Sequence, residues 1–541
     1  MFYFLNLVSI GKIQGKRLTS LTPLTPLTPL TPKLSEAKRN LISIIMKKIC
    51  ITLVMLCSMT ITVMAAGRLE RPKLVVGLVV DQMRWDYLYY YYNEYGEGGL
   101  KRLVDEGFSC ENNMIPYIPT ITAIGHTSIY TGSTPALHGI CGNDFFIDGK
   151  PVYCCGDSTV RSVGSDTKEG QMSPRNLIAS TIGDELKLAT NWKSKVIGVA
   201  MKDRAAILPA GHAADAAYWW DTKAGNFVTS TYYMNDLPQW VKDFNKQNRT
   251  KPGYDLKGKN EGVTMTFKMA EAVLVNEQMG QHEETDMLTI SVSSTDIIGH
   301  AVGTRCPENK AVYMQLDKDL AAFLTKLDQQ VGKGNYLLFL TADHGAAHNH
   351  NQLKEHRIPA GGLESWKHVK ALNEHLSQLH PGTKPLILGS HSMRYYLNYD
   401  NIKAAGLDAQ KVKDEAIEWL KKDRRFVNVI DMEKAATAPL PVTVRERIVN
   451  GYYPRRSGDI FGVARPQFTD TSDAPDYKGT THGHWNPYDA HIPAVFFGWK
   501  IEHGSTSART YMTDIAPTVC ELLHIQMPNA CIGNAITEIV D

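Results

Sequence analysis

Cysteine is sparse, with nine residues in 541, and no two of them form a C-x-x-C pair. That absence removes the ligand spacing of a zinc ribbon and the dithiol of a thioredoxin-like protein. Basic clusters are missing from most of the chain as well. The first 66 residues hold eight Lys/Arg and one Asp/Glu, which leaves 50 basic and 55 acidic groups beyond them, a net charge near −5. The whole-chain value of +2 therefore comes from the N-terminus. A mildly acidic body offers no platform for nucleic acid and no patch for an anionic membrane surface. The apolar run Ile49–Met64 is 16 residues long, short of the roughly 20 that a spanning helix needs. What is present in quantity is ordinary. Hydrophobic residues at 43% and charged residues at 21% suit a folded chain with a sizeable core.

The N-terminus reads as an export signal over residues 46–66. Met46-Lys47-Lys48 is a basic start, Ile49–Met64 an apolar stretch, and Ala65-Ala66-Gly67 a small-residue cleavage site. Upstream, Leu21 to Pro32 repeats Leu-Thr-Pro, and a proline at every third position excludes helix. Residues 1–45 are accordingly expected to be a non-native or disordered leader, with translation starting at Met46. Signal cleavage would leave no stable membrane span, a periplasmic or secreted protein, and seven cysteines. Export permits disulfides. Expected pairs are Cys520 with Cys531, and Cys154 or Cys155 with Cys110 or Cys141, with at least one thiol left over.

Beyond residue 67 the pattern alternates. Leu74–Val80 is a β-branched apolar run ending at Asp81, and the same form recurs elsewhere. Met287–Ser293 leads toward Asp296, Tyr336–Thr341 into Asp343-His344, and Lys195–Ala200 into Lys202 and Arg204. Helical stretches such as Asn309–Val331 and Asp408–Asp423 lie between or beyond them. This predicts a doubly wound, mostly parallel α/β sheet, whose ligands sit at the carboxyl ends of its strands. The tract from about 351 to 480 is less regular and reads as an inserted cap with its own strands (Met393–Leu397, Asp459–Ala464), within one catalytic domain over 67–541.

A lone Asp after a strand is usually a turn residue or helix N-cap. Several together are different. Asp296-x-x-x-His300 places two ligands on one face of a helical turn. Asp81, Asp343-His344 and the turn Thr480-Thr481-His482-Gly483-His484 add two carboxylates and further imidazoles at strand ends or loops. Six mixed N/O ligands suit two zinc ions, which together clamp an in-line displacement at phosphorus. A nucleophile between them completes such a site.

Tyr117–Gly132 (YIPTITAIGHTSIYTG), then Pro135–Ile140 and Gly142-Asn143-Asp144, resembles the nucleophile region of the alkaline phosphatase superfamily. The resemblance is to its threonine-nucleophile branch, which holds phosphodiesterases/nucleotide pyrophosphatases and phosphate-irrepressible alkaline phosphatases. In that branch an Asn that binds a phosphoryl oxygen follows the attacking Thr by 21 residues. Thr122 and Asn143 have this spacing, whereas Thr120 would pair with Cys141. The resemblance implies that Asp296, His300 and His482 hold one zinc and that Asp81, Asp343 and His344 hold the other, to which Thr122 binds. It covers nearly all of residues 72–541. His482 is preferred to His484 because it precedes Gly483, as the family pattern has it.

Lys202-Asp203-Arg204 resembles the Lys-x-Arg of the phosphate-irrepressible alkaline phosphatases, which contacts the phosphoryl oxygens. Two cations on one side of an extended tip favour a monoester dianion over a diester. The expected activity is phosphate monoester hydrolysis through a phospho-threonine by a monomer acting on small molecules. A phosphodiesterase/nucleotide pyrophosphatase is the alternative, and a non-catalytic phosphate-binding protein a remoter one. A C-x-P-x-R motif of the sulfatases is missing around Thr122. His126 and His138 are expected to be structural, His348 and His350 loop residues, and Trp219-Trp220 a packing pair.

Overall fold

Leu74–Val80 has no polar side chain, and all seven of its residues are buried. Such a strand is stable only between two neighbours and under helices on both faces. The computed structural model, which describes residues 36–65 and 69–540, places it near the middle of a ten-stranded sheet. From one edge the order is Gly504–Tyr511, Phe108–Met114, Ala494–Gly498, Tyr336–Thr341, Leu74–Val80, Asp286–Val292, Val196–Ala200, Ala216–Asp221, Asn226–Ser230 and Ser162–Val163. The five strands from Tyr336–Thr341 to Ala216–Asp221 are parallel neighbours. Antiparallel pairing begins on either side of them, so the expected mostly parallel sheet describes the centre, and the flanks are mixed.

The predicted strands hold to within a residue or so. Helix Pro307–Leu327 starts two residues before its expected position because Pro307 takes the first helical turn, where a missing N–H costs nothing, behind Cys306 as the cap. The buried Val, Leu, Ile, Phe and Tyr side chains of the central strands and this helix form the main core. Each contributes on the order of 1.5–3 kcal/mol. Trp219 and Trp220 are both buried, Trp220 in this core and Trp219 in a smaller one with Phe145, and so they pack rather than line a cleft.

The insertion carries a four-stranded antiparallel sheet in the order Ile387–His391, Arg394–Leu397, Ile460–Ala464, Phe426–Asp431. Helices Ser365–Leu379 and Ala409–Leu420 cover it and share a separate hydrophobic core. Residues 70–541 nevertheless form one compact unit.

Residues 1–69 form another unit, whose described part is one helix, Glu36–Ala65. The Leu-Thr-Pro repeat and Ala66-Gly67 of the expected cleavage site lie outside the described residues. Residues 36–45, read from sequence as carrying no fold, instead make the first turns of this helix, since no proline follows Pro32 within them. Among the described residues, no helix is long and apolar enough to cross a membrane.

The expected disulfides are not formed: Cys110, Cys141, Cys154, Cys155, Cys306, Cys520 and Cys531 are all free thiols. Cys110 lies in the main core and Cys154 and Cys155 in a different cluster, so packing separates that pairing. Cys520 is buried in the main core, while Cys531 lies in a loop over Gly132.

Candidate active site

Four neighbouring strands end in the same place. Asp81 directly follows Leu74–Val80, Asp343 follows Tyr336–Thr341, and Lys202 follows Val196–Ala200. Asp286–Val292 runs into helix Ser294–Val302, which carries Asp296 and His300 one turn apart. Because Val79 pairs with both Thr341 and Ser291, the residues just beyond these strands converge on one point.

Thr122 opens helix Thr122–Thr131 and is buried, at the positive end of the helix dipole. This helix lies tight on the strand ends: a Cβ at Gly125 would stand 2.3 Å from the Asp343 carbonyl. The Thr122 hydroxyl is 3.4 Å from His344 Nε2. Thr120, by contrast, is committed to structure, its hydroxyl accepting the Gly483 N–H at 3.0 Å. Asn143 Oδ1 accepts the Ala123 N–H at 3.1 Å, which turns its NH2 group away from that backbone.

The three histidines share one device. His344 Nδ1 donates to the Gly345 carbonyl, His300 Nδ1 to that of Thr480, and His482 Nδ1 to that of Thr120, at 3.0, 2.8 and 2.6 Å. Each is thereby fixed with its Nε2 lone pair free, the form a metal ligand needs. His344 Nε2 lies 3.3 Å from Asp343 Oδ2 and 3.6 Å from Asp81 Oδ1. His300 Nε2 is 3.0 Å from Asp296 Oδ1, and His482 Nε2 is 3.7 Å from the same oxygen. The His344 and His482 rings stack with centroids 3.5 Å apart.

Two ligand groups follow, Asp81/Asp343/His344 and Asp296/His344/His482, each with its ligand atoms within 4.8 Å of one another. His344 belongs to both. His300 stands outside the second group and reaches it through Asp296. His484 stays out of both, its backbone N–H held by Asp489 and its ring kept neutral by burial, at a pKa of about 4. His348 pairs with Thr304 and His350 stacks on Tyr477, away from these groups.

The donor set fits divalent cations. Asp81, Asp296 and Asp343 are all buried, with Lys202 the ammonium among them, its Nζ 2.6 Å from both Asp81 Oδ2 and Asp296 Oδ2. Burial, reinforced by Asp296 and Asp343, pushes the Asp81 carboxyl well above its ordinary range. Burial also raises Asp343, but His344 and His126 outweigh it and hold that carboxyl low. Asp81 Oδ1 and Asp343 Oδ2 are buried without a hydrogen-bond partner. One ammonium does not compensate three buried carboxylates, and additional positive charge does.

One residue escaped the sequence reading. Gln82, in the left-handed region at φ 67°, donates through Nε2 to Asp296 at 2.6 Å and through its backbone N–H to Asp343 at 3.1 Å. It ties the two groups together, and Gly299 makes room, since a Cβ there would meet the Gln82 side chain at 2.0 Å. His126, expected to be structural, is so in a specific way: its Nδ1 lies 2.9 Å from the Thr122 carbonyl and 3.3 Å from Asp343 Oδ2. No sequence pattern marks Gln82, because a glutamine after a strand is commonplace.

The Lys-x-Arg pair departs from its expected shape. Lys202 is extended, but Asp203 begins helix Asp203–Ala210, so Arg204 lies in a helical turn and not on an extended tip. Lys202 faces Asp81 and Asp296, whereas Arg204 Nη1 donates to the Tyr153 hydroxyl at 3.2 Å.

A strand-end cluster of buried carboxylates and Nε2-presenting histidines, beside a hydroxyl at a helix N-terminus, is the site of a metal-dependent phosphoryl-transfer fold. Residues 75–485 match the family model described as Type I phosphodiesterase / nucleotide pyrophosphatase. The chain belongs to this family and is an enzyme of the alkaline phosphatase superfamily. Similar relatives include a Myroides odoratus protein named calcium-transporting ATPase, 46% identical over 90% of this chain and 98% of that one. Alkaline phosphatase PhoV of Synechococcus elongatus is 42% identical (87% and 93% covered), and alkaline phosphatase PafA of Elizabethkingia meningoseptica 43% (87% and 95%). The crystal structure of PafA superposes with a TM-score of 0.84 at 42% identity, covering 88% of this chain and all of that one. A PafA variant with a threonine, an asparagine, a lysine and an arginine substituted aligns equally well, at 41% identity and TM-score 0.84, with the same shares covered. Murine ectonucleotide pyrophosphatase/phosphodiesterase 5 shares the fold at 17% identity and TM-score 0.53, covering 85% of this chain and 96% of that one.

Proposed function

We propose that this chain is an exported, two-zinc phosphoric monoester hydrolase that acts as a monomer on small phosphate esters through a covalent phospho-threonine at Thr122. The observation that carries the reading is the Thr122 hydroxyl at 3.4 Å from Nε2 of His344, the residue common to both ligand groups. Asp296, His300 and His482 would hold one ion; Asp81, Asp343, His344 and Thr122 would hold the other. Bound there, the zinc ions supply Lewis-acid stabilisation of charge on the entering and leaving oxygens.

The chain's own groups do the rest. Thr122 gives up its hydroxyl proton to solvent and Oγ1 forms the bond to phosphorus as the ester P–O bond breaks and the leaving oxygen takes a proton from solvent. Water then cleaves the phospho-threonine, releasing phosphate and restoring the hydroxyl. Asn143, anchored by Ala123, has its NH2 to donate to a phosphoryl oxygen. Lys202 and Arg204 supply the cations that a dianionic phosphoryl group needs and a diester needs less. The substituted variant of PafA supports these four roles. Its threonine and asparagine lie 21 residues apart, like Thr122 and Asn143, and its lysine and arginine are separated by one residue, like Lys202 and Arg204. The name ATPase on one relative is compatible, since removal of a terminal phosphoryl group from a nucleotide is the same displacement at a dianion.

The test compares kcat/KM for an aryl phosphate with that for its methyl diester. Wild type should prefer the monoester, and Lys202→Ala with Arg204→Ala should erase most of that preference. A wild-type preference for the diester would replace this reading with a phosphodiesterase. Thr122→Ala should lose activity on the order of 10⁴-fold or more while retaining its metal. A zinc-loaded protein that hydrolyses no phosphate ester would be a binding protein.

A further inference from the structure

Arg204 is anchored at one edge. Its Nη1–H donates to the Tyr153 hydroxyl at 3.2 Å, and that hydroxyl donates to Asp203 Oδ1 at 2.5 Å. Asp203 also accepts the Arg204 backbone N–H. A phenol that gives its proton to a carboxylate has a more negative oxygen, and so is a better acceptor for a guanidinium. Burial, with the Asp203 carboxylate, raises Tyr153 well above an ordinary phenol, so it stays a hydroxyl across the neutral and mildly alkaline range. Arg204 Nε is buried with no partner among the described residues.

Tyr153 is also tied to the other side of the site. It ends a hairpin formed by Asp144–Ile147 and Lys150–Tyr153, in which Asp144 faces Tyr153. The Cys154 N–H closes the hairpin on the Asn143 carbonyl at 2.8 Å. Asn143 in turn is fixed to the Thr122–Thr131 helix through Ala123. Phe145, fully buried in a cluster with Cys154, Ala205 and Trp219, seats the hairpin against the helix that carries Arg204. One short element thus connects the nucleophile's helix, Asn143 and Arg204.

We propose that Tyr153 is a positioning residue for Arg204, and that the hairpin from Asn143 to Cys154 sets the distance between the two side chains that hold the phosphoryl oxygens. This rests on the reading that Arg204 faces a phosphoryl dianion. A free arginine side chain samples many rotamers, and each one lost on substrate binding weakens the contact. Anchoring Nη1 to Tyr153 removes that loss before substrate arrives and leaves the rest of the fork to bind an anion. The consequence is confined to dianionic substrates.

Tyr153→Phe deletes the acceptor and keeps the ring. It should lower kcat/KM for an aryl phosphate roughly tenfold, the scale of one hydrogen bond to a charged group. The methyl aryl diester should change less than about twofold, and the Ki of inorganic phosphate should rise by the factor lost on the monoester. In an Arg204→Ala background the same substitution should cost nothing further. Asp203→Asn, which weakens the phenol's own anchor, should give the same split to a smaller degree. Equal losses on both esters, or a Tyr153→Phe loss that adds in full to that of Arg204→Ala, would overturn the proposal. Should Arg204→Ala alone leave the monoester-to-diester ratio unchanged, the role given to Arg204 itself fails, and that of Tyr153 with it.

Discussion

The two ligand groups are built differently. Asp81, Asp343 and His344 come from the ends of two adjacent parallel strands, and all three side chains are completely buried. Asp296 and His482, the residues peculiar to the second group, come from a helix and from a turn beyond the insertion; His300, which reaches them through Asp296, has a side chain 38% exposed. Their electrostatics diverge accordingly. Burial lowers His344, whereas at His300 the pull of Asp296 outweighs burial and raises the pKa. The first group is rigid because the sheet itself sets its geometry. The second depends on His300 and His482 being held by carbonyls of Thr480 and Thr120, residues far away in sequence. One wall of the site is thus set by the sheet, and the other is buried too but held by contacts between distant segments, with His300 at its exposed edge.

The sharpest test of that contrast is to remove one side chain from each side. Asp343→Ala should lower metal affinity on the order of 100-fold or more, since it leaves His344 and Asp81 without their common neighbour in a buried setting. His300→Ala, at the exposed edge, should cost less, by roughly tenfold. Metal titration against a competing chelator measures both, and the reverse order would break the comparison. Gln82→Ala comes next. It touches Asp296 and Asp343 at once, so both sites should weaken together by about 10-fold, the lower end of the usual cost of losing a supporting hydrogen bond. Weakening of one site alone would show that Gln82 serves a single group.

The smallest effect concerns the interior behind Thr122. His138 is fully buried, accepts the Ile140 N–H at Nδ1 and pairs with Ser128 on the nucleophile's helix. Burial, with a contribution from Arg456, lowers its pKa to about 3 from 6.5. The unfolded chain therefore binds a proton that the folded chain refuses between those values, and stability falls as pH drops through that window. His138→Gln should flatten the dependence by up to about 1.4 kcal/mol per pH unit. Denaturant midpoints measured from pH 7 down to 4.5 report this slope, and an unchanged slope would mean that His138 already carries its proton.

Much of this site was legible before folding was considered, for definite reasons. Asp81 and Asp343 end apolar runs that can only be interior strands, and Asp296 and His300 lie four apart on a helix, so period and position locate them. The shape of the Lys-x-Arg pair was misjudged because nothing local distinguishes an extended tip from a helix that begins at Asp203. The cysteine pairs failed for a related reason. Cys110 and Cys154 enter different cores, and spacing does not carry that information. Gln82 and Tyr153 were invisible because their partners are more than 200 and about 50 residues away.

By itself, then, the amino-acid order determined the class of fold and the residues offered as ligands, which follow from hydrophobic period and strand-end position, while the threonine beside them was marked by the resemblance to the superfamily's nucleophile region. The tertiary structure alone decided that His344 would stand in both groups, that each histidine would present Nε2, and that Tyr153 would hold Arg204. Those outcomes are pairings across space, made by backbone carbonyls and hydroxyls that any sequence supplies in abundance. Only the packed sheet, with its strand order and tight helix approach, selects which of them meet.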